Sequence, residues 1–384
     1  MDRMNDTLID VPRGLTNVVA ANTRLGDVRG HEGFYHYRQY SAIDLARERT
    51  FEEAWYLLLF GDLPDAEQLS AFRTRVAAAR RLPDAVRELL PAIARLSADD
   101  ALAGLRMALA AVAAADGARP VYDEDENARL ADAVRIAAVT PVLLATLHTL
   151  ARGEQPREPR DDLGHVANYL WLLTGTEPDA AREHALSAYM TAAIDHGFNA
   201  STFTARVIAS TGADVAAAVG GALGALSGPL HGGAPSRALE TLDAIGTPDR
   251  IDAWVTDAVT SGGRVMGFGH AVYRTEDPRS RMLREVAEGF GGPRVDFAVT
   301  VERRVQELLA ELKPGRELHT NVEFYAGVVM ELCGVDRPMF TATFAAARVV
   351  GWSAHILEQA ADGKIVRPSA RYVGPAAPVP LAAA

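Results

Sequence analysis

The sequence predicts a mainly α protein, on three observations. Apolar residues make up 48% of the 384 residues, and alanine is abundant, which is typical of globular helical proteins. Long stretches repeat their apolar residues at helical spacing and end at glycine. Only residues 16–38 have the pattern of strands. We therefore expect a small N-terminal β element followed by helices, in a chain long enough for two domains.

The β element is predicted from two short runs around a turn. VVAANTRLGDV (18–28) and FYHYR (34–38) flank the glycine-containing segment RGHEG (29–33). Short apolar runs joined by a glycine-containing turn are typical of a β-hairpin.

Five later segments have the apolar spacing of helices and end at a glycine or a Pro-Gly pair. They are FEEAWYLLLFG (51–61), DDALAGLRMALAAVAAADG (99–117), AVRIAAVTPVLLATLHTLARG (133–153), VERRVQELLAELKPG (301–315) and MFTATFAAARVVGWSAHILEQAADG (339–363). Pro141 predicts a kink in the third. The C-terminal GPAAPVPLAAA (374–384) is predicted to be disordered.

Composition excludes several classes of protein. A net charge of −11 argues against a nucleic-acid partner, which needs a basic surface. The single cysteine, Cys333, permits no intramolecular disulfide and favours a cytoplasmic protein; it lies in an apolar run and is predicted to be core. We find no signal peptide. Polar residues and Pro141 interrupt the apolar stretches 101–115 and 136–149, so no membrane span is expected.

Two histidines stand in glycine-rich segments that let backbone approach a ligand closely. His231 lies in SGPLHGGAPSRALETLDAI (227–245), between one helix and the next, and a helix N-terminus keeps a histidine neutral and able to donate to a carbonyl oxygen. His270 lies in VMGFGHAVYRTEDPRSRMLR (265–284). The alternative for His231 is an ordinary loop histidine.

Arginines are dense around His270 although the whole chain is acidic. They are Arg264, Arg274, Arg279, Arg281 and Arg284. Such a cluster suits a bound phosphate or polycarboxylate. The alternative is a solvated helix face with salt bridges to Glu276 and Asp277.

His196 and Glu323 each stand at a predicted helix start. His196 precedes the polar helix start in DHGFNASTFTARV (195–207), and Glu323 follows Asn321 in HTNVEFYAGVVM (319–330). Asn321 is a good N-cap, so Glu323 is either a favourable charge in the first helical turn or a catalytic base. A surface histidine is the alternative for His196.

Neutral histidines, one carboxylate, several arginines and no metal-binding spacing suggest one chemistry. A carboxylate would remove a proton alpha to a carbonyl, histidines would hold the developing oxyanions, and arginines would bind the carboxylates of a second substrate. No metal or cofactor is expected.

Several motifs occur in the order found in the citrate synthase family, which the chain resembles from about residue 14 to 374. They are GLTNVVAANTRLGDVRG, FEEAWYLLLFGDLP, GPLHGGA, GFGHAVYR…DPR, NVEFYAG and GWSAHILEQ…VRPSARYVG. The resemblance implies a mainly α, two-domain citrate synthase-like fold with a small N-terminal β element, assembled as a homodimer. It implies a large domain from residues 1–229 and 330–384, and a small domain, 230–329, that closes over the substrates.

The resemblance also implies roles for individual residues. His231 corresponds to the histidine that holds the thioester oxygen of acetyl-CoA, and His270 to the one that polarises the ketone of oxaloacetate. The residues that correspond to oxaloacetate ligands are His196, Arg279, Arg348 and Arg367, the last reaching in from the partner subunit. The residues that correspond to coenzyme A contacts are Gly267, Phe268, Gly269 and Arg274.

Glu323 occupies the position of the family's base, where the family usually has aspartate. The acid is kept, but its side chain is one methylene longer. A second difference is RQYSAIDL (38–45), where the family often reads RGYD. We expect this second change to alter a turn and not the chemistry.

The resemblance implies condensation of acetyl-CoA with oxaloacetate and hydrolysis of citryl-CoA to citrate and CoA, with CoA a substrate and no cofactor. Two alternatives remain open. One is a 2-methylcitrate synthase that uses propionyl-CoA; the other is a non-catalytic homologue that binds CoA or a dicarboxylate.

Overall fold

The computed structural model describes residues 8–229, 231, 235–270, 272–273, 275–375 and 378. The predicted disordered tail lies mostly outside the described residues. Helices dominate the described part, as the sequence predicts.

The predicted β-hairpin is confirmed, with a shorter first strand. An antiparallel sheet contains β1 (Gly26–Arg29), β2 (Phe34–Tyr37) and β3 (Tyr40–Ser41), in that order. Gly26 pairs with Tyr37, and Arg29 with Phe34. Residues 18–25 form no strand because the four-residue β2 offers no further partners. The short β3 was not predicted.

Sixteen α-helices follow within the described residues. They are α1 (Ala42–Glu48), α2 (Phe51–Phe60), α3 (Ala66–Ala79), α4 (Asp84–Leu96), α5 (Ala101–Asp116), α6 (Glu126–Ala151), α7 (His165–Thr174), α8 (Ala180–Ala193), α9 (Ala200–Ala209), α10 (Val215–Leu226), α11 (Pro235–Ile245), α12 (Ile251–Thr260), α13 (Pro278–Phe290), α14 (Pro293–Leu312), α15 (Val322–Leu332) and α16 (Phe340–Asp362). Short 3₁₀ turns occupy Arg13–Leu15, Val121–Asp123, Pro248–Arg250 and Arg337–Met339.

Local chemistry sets several of these helix ends. Thr50 and Glu53 form a capping box at the start of α2, and Gly61 ends that helix with φ of 96°. Gly363 ends α16 in the same left-handed region, with φ of 64°. Glycine adopts this conformation without the strain that a Cβ would add. α6 continues through Pro141, and the kink expected there stays a prediction.

α6 and α16 pack against each other in the core. By length and composition alone, residues 101–123 and 126–151 could cross a membrane. The most apolar window of the second is 78% buried, and α5 packs against α4, α6 and α10. α6 therefore has the surroundings of a core helix of a globular protein; the corresponding window of residues 101–123 is 33% buried. Cys333 is buried, as predicted.

Four helices and one hairpin position the candidate site. α8 contacts α13, α15 and α16, and α13 also packs along α15. The segment 230–329, which the resemblance assigns to a small domain, contains α11 to α14 and most of α15.

Candidate active site

The N-terminal hairpin fixes the segment that leads to His196. The Tyr35 hydroxyl donates to the carbonyl oxygen of Ala192 at 2.9 Å, and the Tyr37 hydroxyl donates to that of Thr191 at 2.9 Å. Both tyrosines are almost fully buried. The small β element therefore holds the end of α8 in place, directly before the predicted histidine.

A buried ionic chain supports the same segment from the other side. The Asp195 carboxylate lies 3.2 Å from Nε2 of His355, whose Nδ1 lies 3.2 Å from the Arg206 guanidinium. Burial alone would raise the pKa of Asp195, but His355 and the nearby Arg348 lower it below its usual value. Asp195 therefore remains ionised and anchors the backbone beside His196.

His196 faces the interior of the site as a neutral ring. Its Nε2 lies 2.9 Å from the Tyr273 hydroxyl. Burial, followed by the charges of Arg279 and Arg348, lowers the pKa of His196 well below its usual value. A neutral imidazole between two arginines can donate to an anionic ligand without adding charge.

Two backbone hydrogen bonds join the loop of Gly267 to Gly269 to the segment that leads into α15. The amide of Gly269 donates to the carbonyl of His319 at 2.8 Å, and the amide of Asn321 donates to that of Gly267 at 2.9 Å. Gly267 has φ of +90°, and a Cβ there would lie 2.9 Å from the ring of Phe324. Only glycine fits this approach without strain.

The surroundings of His270 fix which ring nitrogen carries the proton. Its Nδ1 accepts the backbone N–H groups of Val272 and Tyr273, at 2.9 and 3.0 Å. The proton is therefore on Nε2. That nitrogen lies 3.2 Å from Nη2 of Arg279, which itself donates to Oδ2 of Asp277, so two donors stand side by side in the site. Burial and Arg279 lower the pKa of His270 to about 4, which leaves it neutral near pH 7.

Two predicted arginines, Arg279 and Arg348, are buried in the site. Arg279 donates to the Asp277 carboxylate at 2.8 to 3.0 Å. Arg348 donates through Nε to the carbonyl of Ala193 at 2.7 Å and lies over the ring of Phe344. Of these two guanidinium groups only Arg279 has a carboxylate bonded to it among the described residues. The site therefore has positive charge available for an anionic ligand.

His231 contacts the N-terminus of α9. Its Nε2 accepts the backbone N–H of Ser201 in the first turn of that helix, at 3.3 Å, and lies 2.8 Å from the Ser201 hydroxyl. The ring proton is therefore on Nδ1. Burial and Arg348 lower the pKa of His231, which favours the neutral ring; the start of the helix that follows lies outside the described residues.

The structure confirms the cap that the sequence predicts at Glu323. Oδ1 of Asn321 accepts the amide N–H of Glu323 at 3.1 Å. The Glu323 carboxylate itself accepts no hydrogen bond from the described residues. Burial raises the pKa of Glu323 to about 7, with Arg279 opposing and Asp277 adding to the increase. A free carboxylate with this pKa suits a general base near neutral pH.

The remaining predicted residues lie around this centre or away from it. A cavity of about 320 Å³ beside His270 is lined by residues that include Arg316 and His319, close to the loop of Gly267, Phe268 and Gly269. Arg274 lies outside the described residues. Arg367 is exposed on the segment after α16, and no described contact joins it to the site.

Three residues of the site were not predicted from the sequence. Tyr273 contacts His196, Asp277 binds Arg279, and Ser201 contacts His231. Asp277 was interpreted only as a partner in a solvated salt bridge. Its place before Pro278 is a local signal for a helix start, but its burial and the other two contacts depend on distant parts of the chain.

Comparison with known proteins identifies the family. The protein-family model described as citrate synthase, C-terminal domain, matches residues 14–369 of this chain. The chain belongs to the citrate synthase family. The citrate synthase of Haloferax volcanii is 37% identical over 95% of this chain and 96% of its own length.

Solved structures of citrate synthases share the fold. The Pyrobaculum aerophilum enzyme superimposes with a TM-score of 0.85 at 34% identity, covering 96% of this chain and 94% of the relative. The Thermoplasma acidophilum citrate synthase, in ternary complex with carboxymethyl coenzyme A and oxaloacetate, gives a TM-score of 0.88 at 28% identity, covering 97% and 98%. The predicted mainly α citrate synthase fold is confirmed.

The protein is therefore an enzyme of the acyltransferase type that converts an acyl group to an alkyl group on transfer. Citrate synthases use no cofactor, since coenzyme A enters as part of a substrate. Across the part of the chain that the structure describes, no cluster of three histidine, cysteine or acidic residues could hold a metal ion.

Proposed function

We propose that this enzyme condenses acetyl-CoA with oxaloacetate and hydrolyses the resulting citryl-CoA to citrate and CoA. The observation that supports this most strongly is the Glu323 carboxylate, which has no hydrogen-bond partner in the described structure and a pKa of about 7. It accompanies two neutral histidines whose ring protons are fixed by backbone amides. One base and two neutral donors are what enolisation followed by attack on a ketone requires.

The first step forms the nucleophile. The ionised Glu323 carboxylate takes a proton from the methyl group of acetyl-CoA, and the electron pair of that C–H bond moves to the thioester carbonyl. Nδ1–H of His231 donates to the carbonyl oxygen as it gains charge. Because Ser201 occupies Nε2 of the same ring, the imidazole presents a donor and not a second base.

The second step joins the two substrates. The enol carbon attacks the ketone carbon of oxaloacetate, and the ketone oxygen gains negative charge. Nε2–H of His270 lies beside the Arg279 guanidinium, which suits stabilisation of that oxygen. The proton on Nε2 passes to the oxygen and gives citryl-CoA, and the proton that Glu323 took from the methyl group is returned to the His270 ring, so both groups regain their starting states. Water finally cleaves the thioester, yielding citrate and free CoA.

Oxaloacetate is a dianion, and its two carboxylates need partners once they leave water. Arg348 and Arg279 are both buried here, and the neutral His196 lies beside them. The ternary complex of the Thermoplasma acidophilum relative contains oxaloacetate and a CoA thioether, which supports the same pair of ligands for this site. We assign the CoA moiety to the loop of Gly267 to Gly269, with Arg274 meeting its phosphates.

We also propose a cytoplasmic homodimer with shared active sites. Arg367 is exposed and no described contact joins it to the site of its own chain, as expected for an arginine that acts in the partner. A cavity of about 400 Å³ between α5 and α10 is lined largely by small residues such as Ala110, Ala113 and Gly220, and Met107 nearby is 37% exposed. An exposed apolar surface of this kind suits a subunit interface.

We propose further that residues 230–329 move as a small domain. In such a movement α13 would carry Arg279 and the loop of His270 towards the substrates and exclude water from them.

One assay tests the reaction and its substrate preference. Release of the CoA thiol is measured with oxaloacetate and either acetyl-CoA or propionyl-CoA. Cys333 is 2% exposed, so a thiol reagent reports mainly the product. We expect faster release from acetyl-CoA. Preference for propionyl-CoA would instead assign a 2-methylcitrate synthase, and binding without release would assign a non-catalytic homologue.

A further inference from the structure

Asp277 is a buried charge for which the mechanism above has no step. It is the N-cap of α13, directly before Pro278, and none of its side chain is exposed. A carboxylate is strongly disfavoured in such a position unless charged or hydrogen-bonding partners surround it. Its partners therefore indicate what it does.

The Asp277 carboxylate bonds to two different helices. Oδ1 accepts the backbone N–H and the Nε–H of Arg279, both at 3.0 Å. Oδ2 accepts Nη2–H of the same arginine at 2.8 Å and the backbone N–H of Val322 at 3.1 Å. Nε2 of His270 lies 3.8 Å from Oδ2. One carboxylate thus contacts the proposed oxaloacetate arginine and the first residue of the helix that carries the base.

The geometry of Arg279 follows from this contact. Two parallel bonds through Nε and Nη2 hold the planar guanidinium in one orientation, which a single bond would not do. The other edge of the guanidinium keeps its N–H groups free to bind a ligand. The rings of Tyr35 and Tyr273 lie 5.9 and 5.7 Å from the guanidinium carbon and leave it little room to turn.

The contact with Val322 places the base relative to this arginine. The first N–H groups of a helix have no partner within the helix. In α15, Asp277 accepts that of Val322, and Asn321 accepts that of Glu323. Because Asp277 also begins α13, it ties the N-termini of the two helices together.

We propose that Asp277 is a positioning residue that holds Arg279 and the N-terminus of α15 at a fixed distance and orientation. The oxaloacetate bound to Arg279 and the Glu323 carboxylate are thereby placed correctly on either side of the acetyl methyl group. This rests on the proposed function, because it assigns oxaloacetate to Arg279 and the base to Glu323. Asp277 touches neither substrate.

A helix cap alone would not need a carboxylate. Asparagine caps helices about as well as aspartate, so Asp277→Asn keeps the acceptor for the Arg279 amide. It removes the negative charge and replaces Oδ2 with an NH₂ group, which then faces both Nη2 of Arg279 and the backbone N–H of Val322. The substitution therefore separates capping from positioning.

The test compares Asp277→Asn with Glu276→Gln. Glu276 is the adjacent acid and, among the described residues, forms an ion pair with Arg281 at the surface, so this control removes a like charge from the neighbouring position. We expect Asp277→Asn to raise the KM for oxaloacetate about 30-fold or more, as loss of a buried charge partner does. The control should remain within about twofold of the wild type.

Two further readouts distinguish positioning from general structure. The rise in unfolding temperature on adding oxaloacetate should shrink in Asp277→Asn and persist in the control. The pH profile of CoA release, measured with saturating oxaloacetate, should extend to lower pH in Asp277→Asn. The reason is that Asp277 raises the pKa of Glu323 while Arg279 lowers it, so removing the aspartate charge lowers that pKa.

A folded Asp277→Asn enzyme with the wild-type KM for oxaloacetate and an unshifted pH profile would overturn the proposal. If Asp277→Asn does not fold, Asp277→Glu keeps the charge but displaces the guanidinium; a wild-type KM there would equally overturn it. Failure of both variants to fold would assign Asp277 a purely structural role and reject positioning. If the wild type itself neither releases CoA nor is stabilised by oxaloacetate, the proposed function has failed, not the role of Asp277.

Discussion

The amide N–H of Glu323 is capped by Oδ1 of Asn321 at 3.1 Å, so the start of α15 does not depend on the Glu323 carboxylate. Burial raises the pKa of that carboxylate to about 7. A charge placed for helix stability would be favoured as an anion, whereas this one is disfavoured. The Asn321 cap and the raised pKa together favour Glu323 as a catalytic base and not as a charge that stabilises the helix start.

Glu323→Gln should lower turnover by at least about 100-fold, because the amide cannot accept the methyl proton. Exchange of the acetyl protons with solvent should be lost as well. The affinity for oxaloacetate should barely change, since the substitution leaves the arginines in place. Steady-state kinetics and isotope exchange measure these effects.

Two further variants complete this experiment: one tests the length of the acidic side chain, and the other is a control at an exposed glutamate. Glu323→Asp keeps the charge but withdraws it by one methylene, and a displacement near 1 Å can reduce a rate about 100-fold; we expect it to be slower than the wild type. Glu311→Gln, at an exposed position of α14, should leave turnover unchanged. Near-normal turnover of Glu323→Gln would show that another group is the base.

Arg279→Lys should raise the KM for oxaloacetate about tenfold or more while leaving that for acetyl-CoA nearly unchanged. Lysine keeps the charge but cannot form the paired bonds that the planar guanidinium makes with a carboxylate. Arg281→Lys is the control, because Arg281 lies two residues along α13 with 57% of its side chain exposed. Equal effects of the two substitutions would contradict the assigned role of Arg279.

Sequence alone predicts the parts of this molecule that depend on neighbouring residues. The Asn321 cap and the glycine end of α16 follow from local chemistry and are confirmed. The extent of β1 was wrong because a strand's length depends on its partner, and β2 has only four residues.

Long-range contacts could not be predicted in this way. The tautomer of His231 depends on Ser201, thirty positions away in the chain. The burial of Arg279 with Asp277 depends on how α8 and α15 pack over α13. A pattern of charges gives no information on which face of a helix the rest of the fold covers, so this pair resembled a solvated salt bridge.

Mixing an Arg367→Gln enzyme with a His270→Asn enzyme should restore activity if active sites are shared. Each parent is expected to be nearly inactive. A hybrid dimer would hold one site with both defects and one with neither, so full exchange should recover roughly a quarter of the wild-type activity, the share set by random pairing of two variants in a symmetric dimer. The measurement is CoA release after subunit exchange verified by mass. No recovery after verified exchange would place Arg367 outside the partner's site.

The raised pKa of Glu323 also predicts how stability varies with pH. The pKa in the folded protein, about 7, exceeds the ordinary value of 4.5, so the folded state holds this proton more tightly than the unfolded state. Below pH 4.5 both states are protonated and the group has no effect on how stability changes with pH. As pH rises from there through 7, the unfolded state loses its proton first and the folded state must finally bury a charge. One pKa unit corresponds to about 1.4 kcal/mol, so the free energy of unfolding falls by up to about 3 kcal/mol, reduced to about 1–2 kcal/mol by partial exposure.

Glu323→Gln should therefore be more stable than the wild type at pH 8, and the difference should vanish towards pH 4.5. Loss of a charge in the first helical turn opposes this gain by only about 0.3–1 kcal/mol. The relief of burying a charge should therefore be the larger effect, and the free energy of unfolding should rise. Denaturant unfolding at several pH values measures it, with Glu311→Gln expected to follow the wild type throughout. If Glu323→Gln instead destabilises the protein at pH 8, the carboxylate stabilises the helix start after all. Greater stability together with lost turnover is the combination expected of a catalytic base held in an unfavourable place, because the same burial that weakens the fold raises the pKa to where proton transfer is efficient.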